Sequence, residues 1–242
     1  MHVRQLFVEQ ADQWGISEAE PVLNGLLPYA GLLSSYDKAN VIGTRDPDTL
    51  LLDHVLDSLS CFLFRPLWQA RSLVDVGSGA GLPGIPLKIA SPKMSTTLIE
   101  STGKKARFLE LATQTLGLSD ATVKNQRVEE VAFEQDQRSG YDVATARAVS
   151  SLPVLAEYCV PLIREEGHVI AMKGELSAKE LEKGERAAAK LGARLVEIIS
   201  VPMNPEMRAR DRNLVILQKV NPTPDAYPRR AGRATRRPLG EE

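Results

Sequence analysis

The sequence has only two cysteines in 242 residues, and they lie far apart, at Cys61 and Cys159. With no C-x-x-C spacing and no paired histidines, they exclude a disulfide framework and a structural zinc site, and we predict no bound metal. No apolar run approaches the ~20 residues of a membrane span, and the N-terminal stretch MHVRQLFVEQADQWG is too charged for a secretory signal. These absences predict a cytosolic protein with no membrane partner.

The net charge is also small, at −1, but the charges are unevenly distributed. Residues 1–70 carry nine acidic and four basic side chains, so the rest of the chain is net positive. The stretch YPRRAGRATRRPLG, residues 227–240, holds five arginines and no acidic residue. Because local positive charge concentrates phosphates, this tail predicts contact with a polyanion. A solvated, disordered terminus would have the same composition.

The composition and apolar pattern of the sequence predict three regions. Residues 1–70 form an N-terminal helical segment, residues 71–220 a domain of alternating strands and helices, and residues 221–242 a basic, flexible tail. Within the helical segment, Asp46 as the N-cap and Pro47 at the first helical position predict the start of a helix over 46–64.

The central region has the pattern of an α/β sheet. Strands are predicted at 72–76, 96–100, 121–124, 142–146 and 167–172, with helices between them. This alternation indicates a parallel sheet covered on both faces. Two further strands, within 193–202 and 212–220, are joined by a short polar loop without a helix and should pair antiparallel. The layout is that of the Rossmann-like methyltransferase fold, a mostly parallel seven-stranded sheet with an antiparallel C-terminal strand pair.

A glycine-rich loop follows the first predicted strand, in VDVGSGAGLPGIPLKIA. A phosphate-binding P-loop is excluded because no lysine follows Gly84. A G-x-G-x-x-G match is present but by itself is weak evidence for a dinucleotide. The more specific pattern is acidic-x-G-x-G-x-G, formed by Asp75, Gly77, Gly79 and Gly81. A carboxylate at this loop suits the ammonium and sulfonium groups of S-adenosylmethionine, whereas it would repel a pyrophosphate.

The second predicted strand ends in Glu100, about twenty residues beyond the loop. A carboxylate at this place accepts hydrogen bonds from both ribose hydroxyls of a bound nucleoside. NAD enzymes share the feature, so Glu100 indicates a nucleoside without selecting the cofactor. The alternative is that Glu100 only caps the helix that starts near Gly103.

Two sequence features are absent, and their absence limits which chemical group can accept the methyl. No Asp/Asn-Pro-Pro-Tyr/Phe box follows the fourth strand, where methyltransferases of exocyclic amino groups carry it. Neither cysteine follows a proline or lies in a loop at a strand end, as methylation at a pyrimidine carbon requires. These absences favour a ring nitrogen with an in-plane lone pair, for which catalysis is mainly alignment and desolvation.

Six stretches together resemble the bacterial small-subunit ribosomal RNA guanine-N7 methyltransferases, the glucose-inhibited division protein B family. They are DVGSGAGLPGIPLKI, ESTGKKARFL, RVEE, ARAVSSL, AMKGE and NVIGTRDPDTLLLDHVLDS. The resemblance covers roughly residues 20–240, including the basic tail. It implies S-adenosylmethionine as the cofactor, N7 of a specific guanine in 16S ribosomal RNA as the acceptor, and 16S RNA or the small ribosomal subunit as the partner. We also expect a monomer that acts in the cytoplasm.

The loop pattern and the resemblance together nominate the site residues. The predicted cofactor contacts are Asp75, Gly77, Ser78, Gly79, Gly81, Leu82, Glu100, Ser101, Thr102, Val128, Glu129 and Arg147. Arg147, at the mouth of the site, is also the candidate catalytic residue. The predicted RNA contacts are Asn40, Lys104, Lys105, Arg107, Lys173, Arg229, Arg230, Arg233, Arg236 and Arg237.

The segment around Asn40 departs from the family's pattern at Val41, Ile42 and Asp53. His54, among leucines, is expected to be a hydrogen-bonded structural residue. From the residues alone three alternatives stay open: a methyltransferase of small molecules or proteins, a nucleotide-dependent oxidoreductase, and a non-catalytic RNA-binding module.

Overall fold

The computed structural model describes residues 2–148, 150–207 and 211–240. These residues form a seven-stranded sheet of order β3-β2-β1-β4-β5-β7-β6. The strands are β1 (Ser72–Val76), β2 (Ser95–Ile99), β3 (Ala121–Lys124), β4 (Tyr141–Arg147), β5 (Ile163–Lys173), β6 (Ala193–Ser200) and β7 (Asn213–Lys219). Strands β1 to β5 pair in parallel, and β7 pairs antiparallel with both β5 and β6. The predicted fold class is confirmed.

The strand boundaries lie close to those predicted from the sequence, with one larger difference. Strand β5 begins at Ile163, not at 167. The residues that follow Ile163 are the charged and exposed Arg164, Glu165 and Glu166, and the pairing with β4 shifts register near this point. Because these residues are charged and the register shifts here, the start of the strand lacks the apolar pattern from which strands are predicted.

The helices surround the sheet. They are α1 (His2–Gln13), α2 (Ala19–Ser35), α3 (Pro47–Thr49), α4 (Asp57–Leu59), α5 (Gly84–Ala90), α6 (Gly103–Thr115), α7 (Val128–Val131), α8 (Leu152–Cys159), α9 (Ala178–Lys190) and α10 (Arg233–Arg236). Over the part of the chain that the structure describes, no helix combines the length and the apolar character needed to cross a membrane.

The helix predicted over 46–64 is not a single regular α-helix. Its start is as expected, because the Asp46 carboxylate accepts the backbone N–H of Thr49 at 2.8 Å. After α3 the backbone widens into a π-helix over Leu50–Leu56, returns to α4, and tightens into a 3₁₀-helix over Ser60–Leu63. The wide turn presents the His54 carbonyl to side chains, a contact that apolar periodicity does not encode.

Alternate residues of the central strands enter two different cores. Leu73 and Ile170 pack on the face that α1 and α2 cover, whereas their neighbours Val74 and Ala171 pack on the face that α8 and α9 cover. A sheet buried on both faces produces the near-continuous apolar runs seen in these strands. The N-terminal helices therefore share a core with the sheet.

The C-terminal segment, residues 221–240, lies against the second of these faces. Ala234 and Leu239 are buried in the core of that face. The Arg138 guanidinium donates to the carbonyl of Tyr227 at 2.8 Å. The sequence predicted a flexible tail over residues 221–242, of which 241 and 242 lie outside the described residues. Over 221–240 the segment packs against the domain, because its few apolar side chains fit the core and its backbone carbonyls accept hydrogen bonds.

Candidate functional site

The glycine loop connects β1 to α5 at the carboxyl edge of the sheet. Gly77, Gly79 and Gly81 have φ angles of 70°, 58° and 94°. This left-handed region is strained for residues with a Cβ atom, which explains the glycine at each position. The backbone N–H groups of Gly77 and Ser78 donate to the Ile99 carbonyl at 2.9 and 3.0 Å. The loop is thereby held beside the end of β2.

Glu100 connects this loop to the next helix. One carboxylate oxygen accepts the N–H of Gly79 at 2.9 Å, and the other accepts the N–H of Thr102, next to the start of α6, at 2.7 Å. Capping and ligand binding do not exclude one another, because a carboxylate has about four lone-pair sites. The two backbone contacts fix the orientation of the Glu100 carboxylate, which keeps lone pairs for further hydrogen bonds.

A cavity of about 100 Å³ lies beside Glu100, between the ends of β1 and β2 and the start of α7. We call it the nucleoside cavity. It is lined by Val76, Gly77, Ile99, Ser101, Gln126, Arg127, Val128, Glu129 and Tyr158. Four of these were predicted from the sequence: Gly77, Ser101, Val128 and Glu129. Tyr158 was missed because it lies in an apolar helix and reaches the cavity only through the packing of α8.

The structure places Asp75 elsewhere than the sequence predicted. Its side chain is fully buried and accepts the N–H of Gly84 at 3.1 Å and the hydroxyl of Thr145 at 3.0 Å. Burial raises the pKa of Asp75 to about 6, against the lowering effect of these hydrogen bonds. Asp75 positions the start of α5 and does not line the nucleoside cavity, so its predicted cofactor contact is replaced by a positioning role.

Three other predicted cofactor contacts also support the loop from within. The buried Ser78 hydroxyl donates to the Asp75 carbonyl at 2.8 Å. The Gly81 N–H donates to the Ser78 carbonyl at 2.7 Å, and Leu82 is half-buried against the core. Thr102 and Ser101 are exposed at the other side of the loop. The predicted cofactor contacts therefore divide into residues that support the loop from inside and exposed residues after β2.

The raised pKa of Asp75 predicts a pH dependence of stability. An exposed aspartate titrates near pH ~4, so between about pH 4 and 6 the folded state holds one more proton than the unfolded state, and the free energy of unfolding falls as pH rises. Asp75→Asn keeps an acceptor for Gly84 and lacks this titration. From pH 4 to pH 7 the wild type should lose about 2–3 kcal/mol of unfolding free energy that the variant does not lose. Urea unfolding of both proteins across this pH range measures the difference. A constant difference would contradict the assignment.

Arg147 ends β4 and is held by the N-terminal helices. Its guanidinium donates to the His54 carbonyl at 3.0 Å and contacts the His54 Nδ1 at 2.8 Å. Because a guanidinium has only donors, Nδ1 is the acceptor. Arg147 also lies 3.4 Å from one oxygen of the buried Asp57, whose other oxygen accepts Nε of Arg212 at 2.9 Å. His54 thus has the structural, hydrogen-bonded role that the sequence favoured.

A second cavity, of about 240 Å³, opens at the carboxyl ends of β4 and β5. We call it the cationic cavity, because Arg147, Lys173 and Arg212 line it with Asp57. Lys173 is held by the Ser150 carbonyl at 3.0 Å and pairs with Glu180 at 2.8 Å. In open α/β sheets, ligands bind beyond the carboxyl ends of the strands. The sequence missed Asp57 and Arg212, since no local pattern marks either residue.

The predicted RNA contacts on α6 face a surface groove. Lys104 and Arg107 are exposed and line a cavity of about 440 Å³ together with Lys38 and Tyr36. Lys105 is half-buried. Asn40 is exposed and lies in a separate cavity formed by the loop after α2. Cations beside an aromatic ring are the combination that single-stranded nucleic acid uses for phosphate contact and base stacking.

The tail arginines fall into two classes. Arg230, Arg233, Arg236 and Arg237 are exposed. Arg229 is not available in the same way, because its side chain forms two hydrogen bonds with the carboxylate of the fully buried Glu157, at 2.9 and 2.6 Å. The predicted RNA contact of Arg229 is therefore replaced by a structural ion pair.

The residues around the nucleoside cavity fit S-adenosylmethionine. The glycine loop exposes backbone that no side chain covers. A Cβ atom built on Gly79 would have only one neighbour within 4 Å, the Gly77 carbonyl oxygen at 3.8 Å. Glu100 offers a carboxylate for the ribose, and the cavity beside it has apolar walls for a flat ring and the Glu129 carboxylate at its edge.

Comparison with known proteins agrees with this geometry. A family model described as rRNA small subunit methyltransferase G (GidB) matches residues 23–214. A ribosomal RNA small subunit methyltransferase G from Rubrobacter xylanophilus is 56% identical over 237 residues, which cover 98% of this chain and 91% of that protein. A protein of the same name from Roseiflexus sp. is 38% identical, over 97% of this chain and 99% of that protein.

Solved structures share the fold at low sequence identity. M. jannaschii TYW2 in complex with AdoMet superposes with a TM-score of 0.51 at 14% identity, over 65% of this chain and 74% of that chain. The antibiotic-resistance methyltransferase Kmr has a TM-score of 0.52 at 19% identity, over 63% and 88% of the two chains. The loop geometry, the predicted resemblance and the matches over nearly the whole length agree, and the chain belongs to the small-subunit ribosomal RNA methyltransferase G (GidB) family.

Proposed function

We propose that the protein transfers the methyl group of S-adenosylmethionine to N7 of a specific guanine in 16S ribosomal RNA. The observation that carries the proposal is the placement of two cavities at one edge of the sheet. The nucleoside cavity lies at the ends of β1 and β2, and the cationic cavity at the ends of the adjacent β4 and β5. The first suits a nucleoside cofactor, and the second suits a nucleotide with its phosphate. The enzyme acts as a cytoplasmic monomer on the RNA or the small subunit.

The residues at these cavities bind and orient the reactants. Bound S-adenosylmethionine supplies an electrophilic methyl group on its sulfonium sulfur. Glu100 accepts hydrogen bonds from the ribose, while Val128 and Glu129 enclose the adenine. N7 of guanine needs no general base, since its lone pair lies in the ring plane and carries no proton. Alignment and exclusion of water therefore supply most of the catalysis.

Arg147 is the residue we assign to the acceptor base. A guanidinium donates well to O6 of guanine, which would leave the N7 lone pair free for the methyl group. The guanine becomes positively charged as the N7–C bond forms, and the pairing of Arg147 with the buried Asp57 carboxylate reduces the repulsion between the guanidinium and that charge. Covalent catalysis by cysteine has no support, because Cys61 and Cys159 are buried and burial raises the pKa of both thiols.

The direct test is transfer of labelled methyl from S-adenosylmethionine to small ribosomal subunits from a strain that lacks the modification. We expect label on one guanine, at N7, and loss of transfer in Arg147→Gln. Cofactor affinity should be largely retained, because Arg147, although predicted as a cofactor contact, lines the cationic cavity and not the nucleoside cavity. Label on another base or atom would replace the proposed acceptor. No transfer by an enzyme that binds the cofactor would remove ribosomal RNA from the proposal.

Exposed arginines of the C-terminal segment are expected to contact phosphates. Each phosphate contact contributes about 0.7 to the slope of log K against log salt for single-stranded nucleic acid. The triple change of Arg233, Arg236 and Arg237 to Gln should therefore reduce the magnitude of the slope by about 2 in RNA binding titrations. Lys93→Gln, an exposed lysine at the opposite edge of the sheet just before β2, is the control and should leave the slope unchanged. An unchanged slope in the triple variant would exclude these arginines from the RNA interface.

A further inference from the structure

The C-terminal segment contacts two side chains that line the nucleoside cavity, Glu129 and Tyr158. The N–H of Gly232 donates to one carboxylate oxygen of Glu129 at 3.0 Å. The Tyr158 hydroxyl lies 3.2 Å from the hydroxyl of Thr235. Burial, together with the nearby Glu129 carboxylate, raises the pKa of Tyr158, so its hydroxyl stays protonated. The orientation of both cavity residues is thus coupled to the position of the segment.

An ion pair next to these contacts holds the segment in place. Arg229 donates to the Glu157 carboxylate from its backbone N–H, at 2.8 Å, as well as from its side chain. Glu157 is fully buried and precedes Tyr158 in α8. Nη2 of Arg229 also donates to the Arg237 carbonyl at 2.8 Å, at the end of α10. Since a buried carboxylate is strongly destabilising without a partner, the Arg229–Glu157 pair favours the docked position of the segment.

The segment is fastened on both sides of Gly232. Before it, Arg138 donates to the carbonyl of Tyr227 at 2.8 Å. After it, Nε of Arg186 donates to the Gly240 carbonyl at 3.1 Å. The stretch around Gly232 is therefore fixed at both ends, and it supports the cavity wall at Glu129.

We propose that the docked C-terminal segment strengthens cofactor binding. Arg229 is the positioning residue that keeps the N–H of Gly232 hydrogen-bonded to Glu129. The proposal rests on the assignment of the nucleoside cavity to the adenine end of S-adenosylmethionine. By linkage, docking of the segment and binding of the cofactor strengthen each other to the same extent. The arginines exposed on the same segment would then connect RNA contact to the cofactor site.

The first experiment compares Arg229→Met with Asp225→Asn, a change at an exposed residue of the same segment to which no binding role is assigned. Calorimetric titration of the full-length protein with S-adenosylhomocysteine measures affinity without turnover. We expect binding about tenfold weaker in Arg229→Met, partial recovery in Arg229→Lys, and a dissociation constant within about twofold of wild type in Asp225→Asn. Equal affinity in folded Arg229→Met and wild type would overturn the proposal.

A second measurement needs no variant and therefore does not depend on whether Arg229→Met folds. Saturating S-adenosylhomocysteine should slow trypsin cleavage at the C-terminal arginines of the wild-type protein, because binding and docking are reciprocal. Cleavage at an unchanged rate would overturn the inference while leaving the proposed function intact. A wild-type protein that does not bind S-adenosylhomocysteine would instead contradict both.

Discussion

Asp57→Ala is expected to lower the free energy of unfolding by about 3–5 kcal/mol and to abolish methyl transfer. Asp57 is buried and joins Arg147 on β4 to Arg212 just before β7. Removing the carboxylate leaves two partly buried guanidinium groups facing each other without a counter-charge. The same loss would release Arg147 from the orientation that the proposed reaction uses. Chemical unfolding and the methyl transfer assay measure the two effects.

Asp57→Asn separates the two effects, because it keeps the size of the side chain and one acceptor oxygen. We expect a smaller loss of stability but a large fall in kcat, with the dissociation constant of S-adenosylhomocysteine changed little. Asp48→Asn, an exposed aspartate in α3 of the same helical stretch, is the matched control and should behave as the wild type. Near-normal turnover in Asp57→Asn would show that the carboxylate has only a structural role.

Gly84→Ala is expected to destabilise the protein by several kcal/mol and to prevent cofactor binding. A Cβ at this position would lie 2.4 Å from Cδ2 of Leu98 and 2.9 Å from both Cβ and Oδ2 of Asp75. Both neighbours belong to buried strands, so α5 and the glycine loop would have to move away from the sheet. Overpacking of this kind typically costs about 1–3 kcal/mol, and loss of the Asp75 hydrogen bond to Gly84 adds to it.

Gly31→Ala in α2 is the control for this change, since a Cβ there would meet no atom within 4 Å. Alanine in an exposed helix position should stabilise the protein by up to about 1 kcal/mol. Thermal unfolding and titration with S-adenosylhomocysteine compare the two variants. A Gly84→Ala protein with wild-type melting temperature and affinity would show that the helix can shift at little cost.

Short-range patterns in the sequence were enough to predict the fold and part of the proposed cofactor site. The apolar strands, the glycine loop and Glu100 at the end of β2 all depend on neighbours within a few residues or on the fixed geometry of a parallel sheet. Gly77, Val128 and Glu129 were each predicted as cofactor contacts, and the structure places the three in the lining of one cavity. The family resemblance and the fold class are confirmed, and both depend on local motifs that follow one another in a fixed order along the chain.

Only the tertiary structure decided which of several similar side chains is free to act. Asp75 has the sequence position of a ligand but turns inward, because Gly84 and Thr145 offer hydrogen bonds there. Arg229 resembles the other tail arginines in sequence, but its guanidinium is held by the Glu157 carboxylate, 72 residues away in the chain. These partners are distant in sequence, and the burial that gives each contact its strength exists only once the sheet and its two covering layers have packed.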